Sequence, residues 1–140
     1  MNAKNVLTHQ LQGVMLHHDM MLAFAVLGMP RKCREQRYHF YSEMKNMDKT
    51  NFAVIKETGA IVEVGQVARI RVPDVNANMT DEQKATTCKA IMDTWKKWEE
   101  STVNLYRQEL NTDPQNKWLK CLMHDAEREL RHIEWVYSKM

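Results

Sequence analysis

The sequence predicts an all-α protein, a single four-helix bundle over residues 1–140 with one long crossover between its second and third helices. Three observations predict it. The chain has only four Gly and three Pro, and they punctuate segments rather than scatter. Helix-starting residues precede the apolar-periodic stretches. Two of the three links between helices are a few residues long, whereas the middle one is about twenty.

Helix one spans about 4–27 and closes at Gly28, with Pro30 opening helix two over about 30–58. Gly59 ends that segment. "TDEQ" (80–83) has the Thr-x-x-Gln form of a capping box, with Thr80 as N-cap of helix three, about 81–111. Asp113-Pro114 offers an N-cap and first-turn proline to helix four, about 114–139. The short first and third links require antiparallel hairpins. The middle link, "GAIVEVGQVARIRVPDVNANM" (59–79), reaches about 60–70 Å when extended, longer than a thirty-residue helix at about 1.5 Å per residue. It can run the bundle length and start helix three parallel to helix two, and its valines with Ile61 and Ile70 favour a packed course.

Composition narrows the function. Hydrophobic residues at 44% and charged residues at 27% are ordinary for a soluble domain. A net charge of +2 gives no excess of cations to neutralise phosphates, so no nucleic acid is expected. The basic stretch "PRKCREQR" (30–37) reads as solvated surface. Cys33, Cys88 and Cys121 form no CxxC pair and read as reduced thiols, which with the lack of a signal-peptide pattern points to the cytoplasm. The longest apolar run, residues 20–29, is half of what a bilayer span needs, so no membrane is expected.

The inward faces carry the interest. Helix one has Leu7, Leu11, Val14, Met21 and Ala25 on one face, with Gln10, His17 and His18 within or beside it. The two histidines read as hydrogen-bonded core or edge residues. Helix three has its stripe at Cys88, Met92, Trp95, Thr102, Tyr106 and Leu110, with Glu99 near its centre and Glu100 pointing away. A carboxylate at Glu99 needs a cation, a hydrogen-bond network or a raised pKa, unless it reaches out near the bundle end. Helix four packs through Leu119, Leu122, Met123, Ala126, Leu130, Ile133 and Tyr137. Its flank reads Trp118, Leu122, Asp125, Glu129, His132, Val136, apolar at both ends and polar in the middle, as an enclosed polar site would be. Helix two offers an apolar stripe (Cys33, Phe40, Met44, Met47, Ile55) and a polar line (Gln36, His39, Glu43, Asn46, Thr50). Either could face the bundle, the other meeting solvent or a second subunit.

"SEMKNMDK" (42–49) resembles the helix-two motif Asp-Glu-Met-Lys-His-Ala-Asp-Arg of the ferritin-like superfamily, most closely bacterioferritin, and the spacing from Gly28 to Glu43 matches without a gap. "ELRHIEW" (129–135) resembles that family's Glu-x-x-His-Ile-Asp-Trp, and "ESTVN" (100–104) is similar to the ferritin Glu-Lys-Asn-Val-Asn. The resemblance implies a ferritin-like fold and a metal site in the bundle, with iron, or another divalent ion such as zinc, held by Glu43, Glu99, Glu129 and His132. The helix-three ligand falls on Glu99 or Glu100. Asn46 and Gln10 stand where the family offers His and Glu, so one metal, or none, is expected in place of two. Met44 stands at the bacterioferritin haem-ligand position but reads as a packing methionine, and haem is not expected. The implied function is iron storage or detoxification, with a weak ferroxidase as the activity such a site would allow. The alternative is a non-catalytic bundle serving oligomerisation or partner binding. A homo-oligomer is expected under either.

Overall fold

The computed structural model describes residues 1–140 and contains four helices and no strand: α1 (Ala3–Val26), α2 (Pro30–Thr58), α3 (Asp81–Thr112) and α4 (Lys117–Ser138). None is long and apolar enough to cross a membrane. Local chemistry sets the ends. Asn2 accepts from the Asn5 amide at 3.1 Å to start α1. Pro30 occupies the first turn of α2, and Gly59 closes that helix at φ +70°, a conformation open to glycine at little cost. The capping box is formed: Gln83 N donates to Thr80 Oγ1 at 3.1 Å, and Thr80 N to Gln83 Oε1 at 2.9 Å. The start of α4 lies later than the sequence suggested. Asn116, not Asp113, caps it, accepting from Leu119 N at 3.0 Å, because Asp113 is engaged in the turn with Asn116.

Cross-helix bonds give the relative directions. Gln10 meets Thr50, and His17 meets Gln36, so α1 and α2 are antiparallel. His9 pairs with Thr102 and Gln12 with Trp98, so α3 is antiparallel to α1. Thr50–Trp118, His39–Glu129 and Glu35–His132 set α4 antiparallel to α2. Segment 59–79 is neither helix nor strand. Its contacts advance along α1: the Ala68 carbonyl accepts from Gln12 at 2.8 Å, and Arg69 holds Asp19 at 2.8 Å. Ile70, Val72, Val75 and Met79 then pack on the core, whereas Ile61 is exposed, contrary to the expectation that the apolar residues would be covered throughout.

The apolar interior comes in two parts. Leu16, Met20, Phe24, Leu27, Ile91, Met92, Trp95 and Ile133 belong to the larger cluster, and Val6, Val103, Tyr106, Leu119, Leu122 and Ala126 form the smaller. Along α1, α3 and α4 alike, the stretch between them carries polar side chains: Gln10, Glu99, Thr102 and Glu129. The polar line of α2 faces the same layer, with Gln36, His39 and Thr50 buried. That settles which side of α2 turns inward. Of the expected face of α1, Leu7 and Val14 are buried and Leu11 and Met21 half-buried, but towards its end the face is rotated: Leu16, Met20, Ala23 and Phe24 are buried, while Ala25 is exposed. From Met20 to Val26 the helix is apolar without a break, which gives the periodicity there little to select on.

Candidate functional site

The polar layer is where charge concentrates. α2 contributes Glu35, His39 and Glu43, α3 contributes Glu99, and α4 contributes Asp125, Glu129 and His132. Glu43, Asn46, Glu99, Thr102, Tyr106, Leu122, Asp125, Ala126 and Glu129 enclose a cavity of about 20 Å³. That is room for one water or one ion. Outside it, between α2 and α4, lies an open groove of about 550 Å³ whose walls include Glu35, Tyr38, His39, Arg128 and His132. Asn46, Asp125 and Glu129 line both, so the groove leads to the cavity.

Of the four expected ligands, three meet here and one does not. Glu43, Glu99 and Glu129 share the cavity. His132 sits on the outer side of α4, half exposed, with Nε2 3.2 Å from Glu35 Oε1. Between Glu99 and Glu100, the inward residue is Glu99, which is 2% exposed, and Glu100 is exposed beside Lys96. Gln10 and Asn46 stay near the site without completing a ligand set. Gln10 donates to Thr50 Oγ1 at 2.9 Å, and Asn46 is half-buried in the cavity wall.

The carboxylates crowd one another. Burial first, then Glu129, pushes the Glu43 carboxyl up to about 8. The residue keeps some exposed surface, and the nearby Glu129 carboxylate acts in the same direction as burial. Glu99 is raised well above the carboxylate range by burial and then by Glu129 and Glu43. Its Oε2 is buried without a hydrogen-bond partner. Glu129 goes the other way: burial acts to raise it, but His39 outweighs burial and holds it below its ordinary value. Burial likewise disfavours the His39 cation, yet Glu129 and then Glu35 lift it to about 9. With no ion between the carboxylates, protons on Glu43 and Glu99 and the His39 imidazolium compensate their charge.

His39 and His17 were missing from the expected site. His39 Nδ1 is 3.3 Å from Glu129 Oε1, an ion-pair distance off the line of a hydrogen bond, and the nitrogen has no hydrogen-bond partner. His17 is fully buried and held through Nδ1 by Gln36 Oε1 at 2.8 Å. Burial, then the His39 cation, lowers it to about 4, so it is neutral. The signal for His39 was in the chain: it lies four residues before Glu43, hence on the same helix face.

Three carboxylates from three helices surround an ion-sized space, and one oxygen is orphaned. No three His, Cys, Asp or Glu side chains stand as a ready cage, so binding requires rotamer changes in addition to loss of protons. Comparison with family models, curated proteins and solved structures finds no match for this chain.

Proposed function

We propose that this chain is a ferritin-like bundle that binds a divalent metal ion, iron or zinc, between Glu43, Glu99 and Glu129, and serves metal storage or detoxification. The observation that carries the reading is the three-carboxylate cavity with the unpartnered Glu99 oxygen at its wall. Neutral or protonated carboxylic acids in an apolar setting have few reasons to gather; a cation gives them one. The finer topology belongs to the same proposal: two hairpins joined by one long crossover, with α2 and α3 parallel. Its support is the advance of segment 59–79 along α1.

In this reading the chain's residues do most of the work by holding and releasing protons. Glu43 and Glu99 give up protons as the ion enters, and Glu129 exchanges its His39 partner for the metal. Bound iron would supply one-electron chemistry with oxygen or peroxide. Hard oxygen donors suit ferrous iron, and zinc is accepted by the same set. Haem has no place in it.

A chelator-stripped sample titrated with zinc or anaerobic ferrous iron tests the reading. Binding at a hundredfold excess over Kd should add about 2.7 kcal/mol to stability and release protons to the buffer. Both effects should shrink in Glu99→Gln, which removes one wall of the carboxylate cavity. If wild type shows no metal-dependent rise in melting temperature, the second reading stands ahead, a non-catalytic bundle for self-association. That reading has its own observation: Tyr38, Tyr41 and Phe52 of α2 are 68%, 60% and 71% exposed, the outward aromatic surface a partner subunit would cover.

A further inference from the structure

We propose that His17 and His39, together with Glu129, form a second, nitrogen-rich position for a divalent transition-metal ion, adjoining the carboxylate position. This deepens the metal-binding reading above and rests on it only for the shared Glu129. The first ground is His17. The Gln36 carboxamide oxygen faces Nδ1 at 2.8 Å, so Nδ1 carries the hydrogen and Nε2 presents its lone pair. That Nε2 is buried and has no partner. A neutral imidazole whose other nitrogen donates to a carbonyl is the arrangement a metal-bound histidine takes. The second ground is His39, whose ring stacks on that of His17, centroids 5.4 Å apart and planes 26° apart, and whose Nδ1 also lacks a hydrogen bond. His17 Nε2 is thus unpartnered, and His39 Nδ1, on the neighbouring ring, is ion-paired with Glu129 Oε1 at 3.3 Å but not hydrogen-bonded. As at the carboxylate cavity, no three donors stand as a ready cage, so an entering ion would displace the His39 proton and draw the donors together.

Charge favours the same answer. Glu43, Glu99, Asp125 and Glu129 amount to four negative charges when ionised, enough to offset two divalent ions with both imidazoles neutral. His39 and Glu129 also line the open groove, which gives an ion a route in. Two imidazoles and a carboxylate suit iron(II), cobalt(II) or zinc(II) over magnesium or calcium. The competing occupant is a buried water linking the Trp95 indole N–H, also unpartnered, to His17 Nε2; Trp95 packs edge-on against His17 at 5.9 Å.

The test uses the full chain, stripped of metal and titrated with cobalt(II), with ion count by elemental analysis and X-ray absorption at the cobalt edge. Wild type should take two ions per chain, with imidazole scattering in the absorption spectrum. His17→Gln should reduce the count to one and lower the imidazole contribution, and Glu99→Gln should reduce it to one while retaining imidazole. A single cobalt without imidazole in wild type, for which no variant need fold, would overturn the proposal in favour of the water. So would two ions in a folded His17→Gln protein. If Glu43→Gln and Glu99→Gln leave all binding intact at the imidazoles, the carboxylate reading fails while this one survives.

Discussion

Three residues of the polar layer differ in what their substitution should cost. Without metal, Glu99 is buried, protonated and short of one partner. Glu99→Gln replaces a neutral acid by a neutral amide of similar shape, so chelated protein at pH 7 should change by about 0–1 kcal/mol. Glu129→Gln removes the nearest counter-charge of the His39 imidazolium. Breaking one side of a buried pair costs about 3–5 kcal/mol. His39 can shed its proton and keeps Glu35 at 3.9 Å, which brings the expected loss to about 1–3 kcal/mol. His132→Ala touches only a half-exposed pair with Glu35, worth about 0–1 kcal/mol. Urea unfolding of the three variants in chelator should show Glu129→Gln as the least stable and the other two close to wild type. Equal losses for Glu99→Gln and Glu129→Gln would mean that Glu99 is ionised in the metal-free fold.

At the scale of elements, α1 meets α3 through a glycine. A methyl group added at Gly13 would lie 2.5 Å from two carbons of the Trp98 ring and 3.4 Å from Glu43 Cγ. Trp98 cannot retreat: it is buried, its Nε1 donates to Gln12 at 3.1 Å, and His9 stacks on it at 4.7 Å. Alanine gains about 1 kcal/mol over glycine in a helix, while overpacking costs about 1–3 kcal/mol. Gly13→Ala should therefore destabilise by up to about 2 kcal/mol and alter tryptophan fluorescence, while Gly65→Ala, near only the flexible end of Lys4, should be neutral or slightly stabilising. A Gly13→Ala protein as stable as wild type would show that α1 and α3 are less tightly opposed. The sequence could not announce this contact, because a lone glycine in a helical pattern reads alike whether it marks close approach or indifference. Thr80, Pro30 and Gly59 were legible because capping and turn chemistry is local. The inward face of α2 was not, since its two stripes are decided by what the other helices bring. Glu99 and Glu129 stood out through helix spacing and Glu43 through the motif resemblance, but His39, on the same ambiguous line as Glu43, was set aside, as was His17 as ordinary core. Only the cross-helix distances place His39 beside Glu129 and the His17 ring against His39.

For the whole molecule, the polar layer makes stability depend on pH in a way that metal should reverse. In the metal-free fold, Glu43 moves from 4.5 to about 8 and His39 from 6.5 to about 9. Glu99 is raised as well. Each keeps its proton in the native state through a window in which the unfolded chain has lost it, so each makes stability fall as pH rises. For Glu43 the fall runs from about 4.5 to 8, and for His39 from about 6.5 to 9. His17 and His9 act with the opposite sign, since burial lowers both from 6.5 to about 4. The unfolded chain binds protons there first, so stability falls as pH drops from about 6.5 to 4. The opposing groups partly cancel between about 4.5 and 6.5, leaving a broad maximum in that range. Above it, Glu43, Glu99 and His39 all act together, and the melting temperature of chelated protein should decline steadily to about pH 9. A bound cation takes over the role of those protons, and its affinity increases as they leave. Saturating zinc should therefore flatten or invert the alkaline limb while leaving the acid limb, where protons displace the metal, nearly unchanged. Melting scans from pH 4 to 9 with chelator and with zinc measure both limbs. A chelated protein that grows more stable up to pH 9 would mean that the three carboxylates are ionised and compensated by something other than protons and His39.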